Sequence, residues 1–323
     1  MSRYYIGVDT SNYTTSCALY DAAERRVVSN IKRLLDVPEG GRGLRQSDAM
    51  FMHTKRLPEI IESALDALVP DELCAVGVSS RPRDVEGSYM PCFLAGVSAA
   101  SAMAGAAKKP LYQFSHQAGH IAAAVYSSGS PDLYSREFIA FHVSGGTTEL
   151  LLVHPKPDGE QPFEIEKLGG TLDISAGQAV DRVGVKLGLG FPCGPKLEEL
   201  ANANTERFTP ARLSVHGCEC NLSGAENLAG RMIESGASAE CVAAYLLDFI
   251  GRTLIELVEN ALICRGDLPV LFAGGVMSNS IIKQMIVSRG CDARFAEPAL
   301  SSDNAVGAAL LAAIREEGEY GVR

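Results

Sequence analysis

His116 and His120 stand four residues apart in the Ala-rich stretch Phe114–Ala124. On an α-helix, positions i and i+4 share one face, about one turn apart. Two imidazoles placed that way can converge on a single ion, and neutral imidazole suits zinc and iron. No Glu follows His116, so the helix lacks the general base of the zinc-protease signature. On spacing alone, two half-buried histidines bonded to backbone is the favoured reading. Asp303 offers a third donor. It sits in Ser301-Ser302-Asp303-Asn304, just ahead of an apolar segment, so it is either a helix N-cap or a carboxylate ligand.

A second chemistry is suggested by two strand–turn–strand segments. Tyr4–Asp9 is followed by the hydroxyl-rich run Thr10–Ser16 and by Cys17–Tyr20. Phe138–Val143 is followed by Ser144-Gly145-Gly146-Thr147-Thr148 and by Glu149–Val153. Each turn can present backbone N–H groups and hydroxyls to phosphate oxygens. Their repetition suggests a duplicated domain. Gly274-Gly275 after the apolar run Pro269–Ala273 would let backbone approach a flat ligand closely. Asn279 then either caps the next helix or faces that ligand.

The elements that must position these groups follow from periodicity. Helices are expected over about Met52–Leu68, Phe93–Ala107, from His116 onward, from Ala176, over Ala239–Ala261 and over Ala305–Arg315. Buried strands are expected at Cys74–Ser79, Leu111–Phe114 and Pro269–Ala273, with a strand end at Arg294–Pro298. Residues 38–48, 81–88, 127–136 and 188–195 have the composition of loops, the third of them a linker. His216-Gly217-Cys218-Glu219-Cys220 holds too few thiols for a closed metal site, and a strand edge is the favoured reading.

Composition bounds the answer further. The chain has 323 residues, 46% of them hydrophobic, which suits one large or two smaller folded domains. No apolar run reaches the roughly 20 residues of a membrane span. The opening Met-Ser-Arg-Tyr-Tyr-Ile lacks a signal-peptide pattern. Nine cysteines without a Cys-x-x-Cys fit a reducing compartment, so a cytoplasmic location is expected. Net charge is −10; residues 1–110 carry 13 basic and 13 acidic side chains, the remainder 16 and 26. A nucleic-acid binder ordinarily shows a basic face. An RNA substrate would therefore need a partner to supply much of the grip; basic pairs such as Arg25-Arg26, Lys32-Arg33 and Arg81/Arg83 could add to it, with solvated surface the favoured reading for most of them.

Seven segments in register resemble the TsaD family, the threonylcarbamoyl-adenosine tRNA transferases once called glycoproteases (peptidase M22). They are Gly7-Val8-Asp9-Thr10-Ser11, His116-x-x-x-His120, Val143-Ser144-Gly145-Gly146, Ala176-Gly177-x-Ala179-x-Asp181, Gly194-Pro195, Ala273-Gly274-Gly275-Val276-x-x-Asn279 and Ser302-Asp303-Asn304-Ala305. The resemblance spans nearly the whole chain. It implies an α/β fold of the actin/Hsp70/sugar-kinase type, with two related lobes around a nucleotide cleft. The lobes would be 1–134, with 304–323 packing back, and 135–303.

It also implies that His116, His120 and Asp303 ligate one divalent ion, iron or zinc. His142, Val143, Ser144, Gly145 and Gly146 would form the phosphate and substrate loop. Asp181 would hold ribose hydroxyls, Gly194 would line the nucleotide, and Asn279 would contact the adenylate. ATP or threonylcarbamoyl-AMP would be the ligand. The implied reaction is transfer of threonylcarbamoyl to N6 of adenosine 37 of tRNA, helped by partner subunits of that pathway, among which a same-fold partner or a second copy is one option.

The chain departs from the family pattern at four places. Tyr13 and Thr14 replace an Asp-Glu pair, Thr147 a His, Gln178 a Glu and Arg182 a Lys. These departures suggest a divergent paralogue. They keep open a nucleotide-binding scaffold without catalysis, or carbamoyl transfer to another acceptor.

Overall fold

The computed structural model describes residues 2–11, 13–36, 44–156, 162–300, 303 and 305–318. Two compact units are present. The first comprises 1–136, 154–165 and 302–323; the second comprises 137–153 and 166–301.

In the first unit, β1 (Tyr4–Asp9), β2 (Thr14–Asp21), β3 (Arg26–Leu34), β4 (Leu73–Arg81) and β5 (Leu111–Ser115) form, among the described residues, a sheet of order β3-β2-β1-β4-β5. β1, β2 and β3 are antiparallel; β4 and β5 run parallel to β1. The helices are α1 (Gln46–Ala64), α2 (Phe93–Ala107), α3 (His116–Ser127) and a terminal helix, Val306–Glu317. Val8, Cys17, Leu19, Val76 and Val78 pack with Leu57 and Ile60 of α1 and with Ala100 and Ala104 of α2.

The terminal helix lies against β1, β4 and α3, and Val306–Ile314 are all buried. Small residues permit this contact. A Cβ on Gly7 would stand 2.1 Å from the Ala305 carbonyl oxygen, and one on Gly307 would stand 2.0 Å from the Gly119 carbonyl oxygen. Side chains cannot come so close, so backbone meets backbone at the start of the terminal helix. That packing brings residue 303 to the N-terminal end of α3.

The second sheet, within the second unit apart from residues 154–155 and 163–165, has as described strands β6 (Phe138–Val143), β7 (Thr148–Pro155), β8 (Phe163–Thr171), β9 (Val215–His216), β10 (Glu219–Cys220), β11 (Val270–Ala273) and β12 (Ala293–Phe295), in the order β12-β11-β6-β7-β8-β10-β9. The helices are α4 (Ala176–Lys186), α5 (Gly194–Ala203), α6 (Ser223–Glu234), α7 (Ala239–Arg265) and α8 (Ser280–Val287). Ile139, Phe141 and Phe272 of the sheet pack on Leu246, Ile250 and Leu254 of α7.

Several expectations are corrected. β3 was not anticipated because its sequence is polar; it is an edge strand, where Lys and Arg are tolerated. β8 was also missed, since Gly169-Gly170 resembles a turn. These glycines instead admit neighbouring backbone: a Cβ would stand 1.9 Å from the Cys218 carbonyl oxygen and 2.2 Å from that of Thr148, respectively. α1 starts six residues before Met52 and stops at Ala64, because its buried face already includes Ala49 and His53. β2 begins at Thr14, inside the expected turn. Cys218 and Cys220 lie in and beside the β9–β10 hairpin. Most of the Gly-rich loop, and Ser301, Ser302 and Asn304, lie outside the described residues.

Candidate functional site

β5 runs directly into α3. The hydroxyl of Ser115 accepts a hydrogen bond from the Ala118 N–H at 3.1 Å and caps the helix. His116 is therefore the first helical residue, and His120 lies one turn on. Their Nε2 atoms are 2.9 Å apart. Asp303 Oδ1 lies 3.4 Å from His116 Nε2 and 3.2 Å from His120 Nε2. Both imidazoles thus face one carboxylate. Asp303 is not the cap of the terminal helix: Ala305 holds that position, with no side-chain cap bond.

Among the described residues this is the one group of three side chains whose donor atoms could hold a metal ion, with all three atoms within 4.8 Å of one another. Donors bound at about 2.0–2.2 Å to a tetrahedral ion stand roughly 3.4 Å apart. The two imidazole–carboxylate separations, 3.4 and 3.2 Å, lie near that edge length, and the 2.9 Å between the imidazoles is shorter. Three protein donors leave a position for another ligand, the pattern of catalytic rather than structural sites.

A fourth group was not singled out in the sequence. Asp9, at the end of β1, is fully buried. Its Oδ1 is 3.2 Å from His116 Nδ1, and its Oδ2 accepts from the Ser11 hydroxyl at 2.5 Å. A charged residue closing a buried apolar strand was the available signal. Burial disfavours charge on His116, but Asp9 and Asp303 outweigh that cost and push its pKa up to about 10. Burial likewise opposes ionisation of Asp303, yet His116 and His120 hold it well below the usual carboxylate range. Two carboxylates against two imidazoles make a locus that favours positive charge, whether carried by a proton or by a metal cation.

The first turn differs from the phosphate-holding loop expected. Its hydroxyls bond inward. Thr10 donates to the Cys92 carbonyl at 3.0 Å and accepts from the Gly96 N–H at 3.1 Å. Ser16 donates to the Asp9 carbonyl, and Thr15 pairs with His53 Nδ1 at 2.8 Å. Strand pairing and the α1–α2 layer bury them all.

The second turn remains open. Gly145 and Gly146 are exposed, with nothing within 4 Å of an added Cβ. Gly145, Asp181, Gly194 and Asn279 line one cavity of about 460 Å³, together with Phe191 and Glu198. His142 is half-buried at the end of β6, Val143 is core, and Ser144 and Gly146 complete the turn. These four do not line the cavity. Asp181 Oδ1 accepts from the Cys193 N–H at 3.0 Å, which braces the Gly/Pro loop. Asn279 Oδ1 caps α8 by accepting from the Ile282 N–H at 3.1 Å, and the residue also lines the cavity. Ser175 and Gln178 form a capping box at the start of α4, and the Ser175 hydroxyl donates to the Gly145 carbonyl at 2.8 Å. Gln178, standing where the family has Glu, thereby serves the helix end.

The fold is of the actin/Hsp70/sugar-kinase class. The dehydratase component A of Acidaminococcus fermentans ((R)-2-hydroxyglutaryl-CoA dehydratase) superposes with a TM-score of 0.55 at 15% identity, over 95% of this chain and 96% of that one. A ROK family protein from Streptococcus pneumoniae does so with a TM-score of 0.56 at 11% identity, over 97% and 99%.

Within that class the sequence is more specific. The profile of the TsaD family, tRNA N6-adenosine threonylcarbamoyltransferase, matches residues 6–310. A tRNA N6-adenosine threonylcarbamoyltransferase from Thermus thermophilus is 31% identical over 315 residues, 96% of this chain and 92% of that protein. The chain belongs to the TsaD family.

Proposed function

We propose that this protein transfers threonylcarbamoyl from threonylcarbamoyl-AMP to N6 of adenosine 37 of tRNA, using one divalent ion, iron or zinc. The observation that carries this reading is the convergence of His116, His120 and Asp303 donor atoms within 4.8 Å, in a chain of the TsaD family. These three residues would hold the ion. Its chemistry when bound is Lewis-acid polarisation of a carbonyl and neutralisation of charge.

In the second unit, Asp181 and the Asn279 amide supply polar contacts and Gly145 and Gly194 supply close backbone approach for the nucleotide. The exposed Phe191 ring and Pro192 at the same cavity offer apolar surface to a base. His142 to Gly146 make the strand end and turn for phosphate and substrate. In the transfer, N6 attacks the carbamoyl carbon, the bond from that carbon to the phosphate oxygen breaks, AMP leaves, and N6 loses a proton. Holding both reactants in line supplies much of the rate.

A cytoplasmic location belongs to the same reading. No helix among the described residues is long and apolar enough to cross a membrane. The net charge of −10 supports tRNA capture shared with partner subunits, with a same-fold chain or a second copy as one option. One observation favours a second reading, a nucleotide-binding scaffold without catalysis. Thr14 is buried in β2, and no carboxylate stands at positions 13 or 14. Transfer to another acceptor is the third outcome the assay separates.

The test is consumption of threonylcarbamoyl-AMP by the purified protein with divalent metal and tRNA, against His116→Ala. Metal-dependent modification of tRNA lost in the variant supports the transferase. Metal-dependent consumption without tRNA modification points to another acceptor. Tight nucleotide binding without turnover, with partner subunits present, replaces it with the scaffold.

A further inference from the structure

We propose that Asp9 is a positioning residue for the ion site, holding His116 in the tautomer that turns a bare Nε2 toward His120 and Asp303. The inference rests on the metal reading above and adds a residue to it.

An ionised carboxylate has no proton to donate. The 3.2 Å contact between Asp9 Oδ1 and His116 Nδ1 therefore requires the proton on Nδ1. Neutral imidazole with Nδ1 protonated carries its lone pair on Nε2. That is the atom 2.9 Å from His120 Nε2 and 3.4 Å from Asp303 Oδ1. A carboxylate behind a ligating histidine fixes ring orientation and raises basicity, and such partners are worth about 10–100-fold in metal affinity.

The carboxylate is itself held by a second partner. Ser11 donates to Oδ2 at 2.5 Å. The Asp9 carbonyl accepts from the Ser16 hydroxyl at 3.3 Å, across the strand pair that matches Asp9 with Ser16. Among the described residues, the ion pair that Asp9 makes is with His116 alone. A fully buried carboxylate is costly without strong partners, and no Lys or Arg among the described residues pairs with it. With neutral imidazoles, the formal charges of Asp9 and Asp303 sum to that of one divalent ion with the sign reversed.

The experiment is titration of cobalt(II) into the full-length, chelator-stripped protein, followed by its visible absorption. Wild type is expected to take up one ion per chain. Asp9→Asn, nearly isosteric, should bind roughly 10-fold or more weakly with a shifted cobalt spectrum, while its circular dichroism stays unchanged. A merely structural role would leave that spectrum alone. Equal affinity and an identical spectrum in Asp9→Asn overturn the inference and leave the metal reading standing. A folded wild type that binds no cobalt removes the metal reading and the inference together. Should Asp9→Asn fail to fold, Ser11→Ala decides. Its hydroxyl touches Asp9 and none of the three donor atoms, so a severalfold loss supports the inference and an unchanged affinity overturns it.

Discussion

The turns after β1 and β6 have related local sequences and opposite fates. Each follows a buried strand that opens its sheet's antiparallel hairpin. After β1, the hydroxyls of Thr10, Ser11, Thr15 and Ser16 are buried and bonded within the protein. After β6, Gly145 and Gly146 stay exposed, and Gly145 reaches a cavity. A polar turn is thus no evidence by itself of a ligand site. What decides is whether helices cover it. α1 and α2 close over the first turn, and the Cys92–Gly96 start of α2 takes up the Thr10 hydroxyl. The first turn became a rigid support for Asp9, and the second kept Gly145 and Gly146 exposed.

The sharpest break in this contrast would come at the supported site. His116→Ala should remove the bound ion and lower tRNA threonylcarbamoylation by about a thousandfold or more, since Lewis-acid stabilisation is worth several kcal/mol. Metal content by mass spectrometry and a single-turnover assay check both halves. Full activity without metal would dissolve the functional distinction between the two regions.

Next in size is backbone packing beneath the first turn. Gly7→Ala places a Cβ 2.1 Å from the Ala305 carbonyl oxygen. It should lower unfolding free energy by about 3 kcal/mol, read from denaturant melts. The same addition at Gly146 meets nothing within 4 Å, and Gly146→Ala should stay within about 0.5 kcal/mol of wild type. Comparable losses at both positions would show that the second turn is as tightly covered as the first.

Thr10→Val keeps the shape but strands the Gly96 N–H in a buried setting. It should cost about 2 kcal/mol. Ser175→Ala, at the α4 capping box beside the second turn, should cost about 1 kcal/mol. If the order reverses, the inward bonds of the first turn are weaker supports than the cap of the second.

Much of the architecture was legible in the sequence. α2 occupies Phe93–Ala107 as expected, β1 matches Tyr4–Asp9, and β6 matches Phe138–Val143. These segments are unbroken runs of apolar or small residues. β3 and β8 were not legible, because an edge strand with charged residues and a strand ending in Gly-Gly carry no such run. In the cavity, Gly145, Asp181, Gly194 and Asn279 come together from four separate segments, and the resemblance to TsaD supplied that grouping where spacing could not. The engagement of Asn279 Oδ1 as a cap and of Asp181 Oδ1 by Cys193 was invisible beforehand, since both depend on which N–H group the fold brings near.

What the sequence by itself determined is the pairing of His116 with His120. Residues four apart on one helix share a face, and Ser115 ahead of them marks where that helix starts. It left Asp303 undecided between cap and ligand, because Ser-Ser-Asp-Asn before an apolar run is consistent with either. Tertiary structure removes the cap role, which Ala305 holds. The terminal helix settles backbone-to-backbone on Gly7 and Gly119, which no local rule predicts from residues 305–317 alone. The carboxylate just ahead of that helix then meets the two imidazoles. The same packing explains Asp9: its partner His116 is 107 residues away in the chain, and contacts over such separations are specified only by how β1, β5 and α3 assemble.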